Sequence, residues 1–256
     1  MSPKSVVLQV VLLVAVATSA MAQTSVGKVT LSIGGATLSS GGATPVVLHV
    51  GADIHPGDRV TTGAGAHVHI RFVDGGLVSV RPHSNLLIED YEYQPEAPSL
   101  SKVRFNLEHG TARSISGVAA EAAKHRFRLN TPLVAIGVRG TDFVVHSTDS
   151  QSTAAVNQGA IVVAPFSDGC TLHGVGSCSG GGAVLVTPQM GGLLAEYRSG
   201  QAYAQLRQLT PAELVTTAAV SGRTSGKDQA GLLAAGGAPV QRAVWVSQSQ
   251  DGNGAP

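Results

Sequence analysis

Residues His67-Val68-His69-Ile70-Arg71-Phe72 alternate polar and apolar side chains without a break. Successive side chains of an extended chain leave on opposite faces, so such a run buries one clean face only as a strand. The same period recurs in Lys28–Ile33, in Val46, Leu48 and Val50 set against Val47 and His49, in Val103–Leu107 and in Arg126–Asn130. Phe143-Val144-Val145 and Val184-Leu185-Val186 are continuous apolar runs and read as strands buried on both faces. Between these runs stand turn signals: Gly34-Gly35, Ser40-Gly41-Gly42, His55-Pro56-Gly57-Asp58, Gly63-Ala64-Gly65, Asp74-Gly75-Gly76, Pro82-His83-Ser84-Asn85, Asn157-Gln158-Gly159 and Asp168-Gly169. Each offers Gly or Asn for positive φ, or Pro to preset φ. Strand starts therefore recur roughly every ten residues, the spacing of all-β architectures. The expected fold is all-β: a β-sandwich or roll, or a short β-solenoid, of many short strands, with a short C-terminal helix and a mobile tail. No long helical pattern of the kind an α/β enzyme needs between strands precedes residue 200.

Charge narrows the partner classes. Charged residues are 13% of the 256, about half the usual share, and the formal net charge is +1. Nucleic-acid binding needs several uncompensated cations, so no nucleic-acid partner is expected. A polybasic membrane binder and an acidic tail are excluded on the same ground.

The N-terminus reads as an export signal. Lys4 precedes a nearly unbroken apolar run from Val6 to Ala17, and Ala20-Met21-Ala22 supplies small residues at the −3 and −1 positions of a cleavage site. Cleavage is expected between Ala22 and Gln23, making 1–22 a signal peptide. The apolar run is shorter than the roughly 20 residues of a spanning helix, so no transmembrane segment is expected after cleavage. Loss of Lys4 leaves sixteen cations against sixteen anions. The expected location is periplasmic or extracellular. An oxidising compartment favours a disulfide between Cys170 and Cys178, which enclose seven residues. Only His173 lies near enough to join them in a metal site, short of the four ligands a structural zinc takes.

Several short motifs punctuate the strands. Gly57-Asp58 sits in Gly-Asp-Arg-Val-Thr-Thr-Gly63, and Asp74-Gly75-Gly76 follows the alternating strand. Leu107-Glu108-His109-Gly110, Thr131-Pro132 and Val138-Arg139-Gly140-Thr141-Asp142-Phe143 come later. Read physically, Gly57-Asp58 turns the chain, with the carboxylate capping local amides. Asp74-Gly75 makes a hairpin turn between Phe72 and Val78. Gly140, before Thr141, permits a close approach or bulge ahead of a buried strand. Arg139 has five donors with which to tie loop carbonyls or a carboxylate together, its outward projection toward a partner being the second reading. In order and spacing these elements resemble the FecR domain, an extracytoplasmic all-β module of bacteria, across about residues 26–165. The resemblance implies a protein-binding module. FecR itself couples a cytoplasmic sigma-factor segment through one membrane helix to this domain, whereas only five residues precede the apolar run here. The expectation is therefore an exported module without the cytoplasmic anti-sigma part.

The domain organisation expected is a signal peptide over 1–22 and a FecR-like all-β domain over 26–200, its core motifs within 26–165. An extra hairpin spans 183–197, and a C-terminal helix and flexible tail occupy 201–256. The helix signal is Thr210-Pro211-Ala212-Glu213, a capping-box pattern with Pro in the first turn. Trp245, the only tryptophan, falls in the tail as either a docking or a sticky element.

No nucleophile elbow, P-loop, zincin helix or dinucleotide fingerprint is present, and no catalytic residue, cofactor or metal is assigned. The acidic run Glu89, Asp90, Glu92 and Glu96 reads as a solvated strand end and loop rather than a glycosidase pair. His67 and His69 share a strand face about 7 Å apart. Two imidazoles at that spacing can begin a metal site if His49 or His83 joins them, but the polar-face reading comes first. The function expected is a non-catalytic periplasmic or envelope protein-interaction or sensing module, partnered by an envelope protein or cell-envelope component. A structural or glycan-binding envelope protein is the alternative, though four tyrosines and one tryptophan make a thin supply of stacking rings.

Overall fold

The computed structural model describes residues 24–180, 182–210 and Glu213. Among these residues it is mostly β, with seventeen strands joined in one continuous hydrogen-bonded system. The strands are β1 (Gly27–Ile33), β2 (Ala36–Ser40), β3 (Val46–Val47), β4 (Asp53–Ile54), β5 (Asp58–Thr62), β6 (His67–Phe72), β7 (Leu77–Val80), β8 (Ser84–Glu92) and β9 (Lys102–Ile115). They continue with β10 (Phe127–Asn130), β11 (Val134–Val138), β12 (Asp142–Ser147), β13 (Gln151–Gln158), β14 (Ile161–Pro165), β15 (Val184–Val186), β16 (Leu193–Arg198) and β17 (Gln205–Gln208). A short helix, α1 (Val118–Ala122), interrupts them.

The ladders resolve into two sheets. The first runs β4-β1-β6-β7-β9-β12-β13-β16-β17 and is antiparallel throughout. The second runs β3-β2-β5-β8-β9-β10-β11-β14-β15 and is antiparallel except for β9 with β10. Ladder pairing of this kind makes a sandwich or roll with corner-turning strands, not the stacked coils of a solenoid. Inward side chains from both sheets form one apolar core, with Ile70, Val80, Phe143 and Val145 from the first and Leu86, Ile88, Phe105, Leu107 and Ile136 from the second. Phe72, Tyr91, Phe105 and Phe127 pack as a chain of ring contacts at centroid distances of 4.4–6.0 Å.

Strand β9 belongs to both sheets. Residues up to His109 pair with β8, and those from Gly110 pair with β12. Buried positions are Val103, Phe105 and Leu107 before the corner and Gly110, Ala112 and Ser114 after it, so the alternation changes phase by one residue. A bulge produces the shift: Asn85 pairs with His109 but Leu86 with Leu107, leaving Glu108 over. Gly110 sits at φ +89°, and a Cβ there would lie 2.4 Å from the His83 carbonyl oxygen. Only glycine fits this crossing. Two other connections cross beside it: β1 passes to β2 through Gly34-Gly35, and β5 passes to β6 through Gly63–Ala66, where Gly63 N–H donates to Gly35 O at 2.8 Å.

Some local expectations change. Val184–Val186 is not buried on both faces: Leu185 is exposed because β15 is the outer strand of the second sheet. Segments 184–186 and 193–198 do not form a hairpin. β15 pairs with β14 in one sheet, while β16 pairs with β13 and β17 in the other, because both found longer-range partners. Helix α1 was not anticipated, although Val118-Ala-Ala-Glu-Ala-Ala123 is rich in the best helix former. Thr210 and Glu213 make reciprocal capping bonds: Glu213 N–H donates to Thr210 Oγ1 (3.3 Å) and Thr210 N–H to Glu213 Oε2 (2.8 Å). The C-terminal helix beyond, Trp245, the tail and the signal peptide with its Ala22–Gln23 cleavage lie outside the described residues.

Candidate functional site

The two motif carboxylates are absorbed by turns. Asp58 is buried; its Oδ2 accepts from His55 N–H at 2.7 Å and its Oδ1 from the Ser40 hydroxyl. Gly57, at φ +87°, turns the chain just before it. Asp74 is also buried and lies in the turn joining β6 to β7, where Gly75 takes φ +84°. Asp74 Oδ1 accepts from Gly76 N–H (3.0 Å) and from the Tyr91 hydroxyl (2.5 Å), and its Oδ2 accepts from Ala119 N–H (3.0 Å). Asp74 thus caps α1, whose own N-cap residue, Gly117, has no side chain to do so. Burial, and then the Asp74 charge, push the Tyr91 hydroxyl far above its ordinary range, so it stays a donor.

The arginine of Arg139-Gly140-Thr141 behaves otherwise than its first reading. Arg139 is exposed, and no hydrogen bond or ion pair holds its guanidinium among the described residues; only its backbone N–H is engaged, by Ala160 O. Gly140 adopts φ +66°, and Thr141 is buried, its N–H donating to Ser116 Oγ. The role of tying loop carbonyls together belongs to Arg128 instead. Its guanidinium is buried under the loop closed by Cys170–Cys178, whose Cα atoms are 5.4 Å apart. Arg128 donates to Gly176 O (2.7 Å), Thr171 O (2.7 Å) and Cys178 Sγ (3.0 Å), while Asn130 donates to Leu172 O (2.9 Å) and Arg104 to His173 O (3.0 Å). Both disulfide cysteines are buried against Ala135 and Ala164 of the second sheet. Arg128 was hidden in the sequence because its strand, Phe127–Asn130, looks half-exposed until the loop is laid over it.

The outer face of the first sheet carries the exposed chemistry. Cross-strand register sets His69, Ser79, Arg113 and Val144 in one row, and His67 beside Arg81, Thr111 and His146 in the next. Arg81 Nη1 donates to His67 Nδ1 at 3.0 Å, which fixes His67 as a neutral imidazole accepting through that nitrogen. Burial first, then the Arg81 charge, lowers the His67 pKa; burial, Arg81, His67 and Arg113 lower that of His69. Arg113 is held in a bidentate pair by Asp142, at 2.7 and 2.6 Å. Arg71 and Arg81 pair with no carboxylate among the described residues. His67 and His69 therefore face cations, surroundings that oppose a bound metal ion, and no group of three metal-ligating side chains occurs among the described residues. Farther along the face a hollow of about 420 Å³ is lined by Val144, His146, Thr153, Ala155 and Leu194. The acidic run begins on β8, where Glu89 pairs with Arg104 at 2.9 Å and Asp90 with Lys102, and Glu96 lies beyond the strand.

Fold and face together define a two-sheet β module whose motif residues hold corners and turns and whose outer sheet face is left open by the described residues. Residues 58–162, from the start of β5 into β14, match the family model FecR protein. Over that span the chain is similar to FecR proteins. No curated protein matches it. Two crystal structures of a "putative anti-sigma factor" from Parabacteroides distasonis ATCC 8503, at 1.65 and 2.50 Å, are similar to it. Each is 14% identical with a TM-score of 0.44, covering 64% of this chain and 65% and 64% of theirs. The match thus spans under two thirds of that protein's length. No helix among the described residues is long and apolar enough to cross a membrane.

Proposed function

We propose that the chain is an exported, non-catalytic protein-interaction or sensing module of the cell envelope. The observation that carries this reading is the FecR-family match over residues 58–162. Its physical support is the division of labour within that span. Asp58 and Asp74 are spent on backbone amides and hydroxyls, while Arg71, Arg81, His67 and His69 cover an open sheet face. The signal pattern of residues 1–22 and the loop clipped by Cys170–Cys178 favour a periplasmic or extracellular location. The packing of Phe72, Tyr91, Phe105 and Phe127 in the core gives the glycan-binding alternative little to stack on. Affinity capture from envelope extract with the full chain as bait tests the proposal. A stoichiometric protein partner is expected; recovery of polysaccharide alone overturns the reading. Mass spectrometry of the exported product is expected to begin at Gln23, and a product retaining Met1 in the cytoplasm refutes export.

A further inference from the structure

The cationic face of β6 is more specific than a generic docking surface. His67, His69 and Arg71 stand at alternate positions on one strand face, about 7 Å apart from one to the next. Arg81 approaches His67 from beyond the end of β7, and Arg113 lies two strands away across from His69 through Ser79. On the other side, β1 sets Lys28 opposite Arg71, and Lys28 is already neutralised by Asp53 at 2.5 Å. Asp142 of β12 neutralises Arg113. What remains uncompensated among the described residues is a line, not a point: two imidazoles and Arg71 along the strand, with Arg81 alongside. A phosphate is compact and wants donors converging on one spot. An extended peptide repeats its side chains on one face every two residues, at the same roughly 7 Å as the array beneath it.

We propose that this line is a docking track for an extended acidic segment of a partner protein, whose alternate carboxylates meet His67, His69 and Arg71 with Arg81 at their side. This inference rests on the reading of the chain as a protein-interaction module. In the free protein burial first, and then the Arg81 charge, lower the pKa of both imidazoles. A bound carboxylate reverses that balance, so binding takes up protons and strengthens as pH falls through the imidazole range. The charged groups bearing on the two rings are Arg81, Arg113 with its partner Asp142, and each other.

The test is NMR titration of the histidine ring signals in the full chain, using the peptide Glu-Thr-Glu-Thr-Glu-Thr-Glu as probe. Its Gln-for-Glu counterpart, inorganic phosphate and anionic phosphatidylglycerol vesicles serve as the other arms. The acidic peptide is expected to shift the His67 and His69 signals, raise their apparent pKa and bind at least tenfold more tightly at pH 5.5 than at pH 7.5. Arg81→Gln and His69→Gln, each first shown to keep the wild-type amide dispersion, are expected to weaken binding at least tenfold. Ring signals that do not move, or equal binding of the Gln peptide, overturn the track. Equal response to phosphate or to vesicles overturns its assignment to a peptide. A partner captured equally well by wild type and Arg81→Gln keeps the module reading and sinks this site alone.

Discussion

Gly110 and Gly140 both take positive φ, yet their surroundings separate them. Gly110→Ala drives a methyl into the His83 carbonyl and Ser84 at the crossing of β9, and is expected to destabilise by more than about 3 kcal/mol. Gly140→Ala meets nothing within 4 Å and carries only the left-handed backbone cost, about 1–2 kcal/mol. Urea unfolding of the two variants checks the order; equal losses would show that backbone conformation, not the close approach, governs the corner. Asp74→Ala strands the Gly76 and Ala119 amides and the Tyr91 hydroxyl together, and is expected to lose about 3 kcal/mol or more. Tyr91→Phe removes one of those partners and is expected to lose about 1–2 kcal/mol by the same measurement.

Strands were legible where burial on one face imposes period two, as in His67–Phe72, which is β6 residue for residue. Partnership was not, because register arises from contacts far apart in sequence. Val184–Val186 and Leu193–Arg198 look like a hairpin locally and go to different sheets. The length of β9 was hidden for a related reason: the bulge at Glu108 breaks the alternation that would have revealed fourteen continuous residues. Arg139 and Arg128 show the same limit at the site. A motif position marks where the chain turns, but whether an arginine lies beneath a loop depends on where that loop folds back. The Cys170–Cys178 loop gives the element-scale prediction. Replacing both cysteines by serine is expected to cost about 2.5 kcal/mol through the freed loop. Thermal melts of oxidised wild type against the double variant check it, and unchanged melting would make the clip dispensable.

Acid sensitivity belongs to the whole molecule. His67 and His69 have folded pKa values below the ordinary 6.5, so below pH 6.5 the unfolded chain binds more protons and stability falls with pH until the folded values are passed. Glu213, held by Arg207 down to about 2, adds a second loss as pH drops from 4.5 toward that value. The urea midpoint is expected to fall between pH 7.5 and 5.5 in wild type and to fall less in His67→Gln/His69→Gln. A variant with the same slope would place the acid response elsewhere. The shared strand sets the mechanical character of the assembly. β7 and β8 precede residues 93–101 and β9 follows them, and β9 clasps one of the pair in each sheet. A protease that nicks that connection severs the backbone without releasing either piece, because parting them means unzipping two seams at once. The cleaved protein should travel intact through a sizing column and come apart only in denaturant.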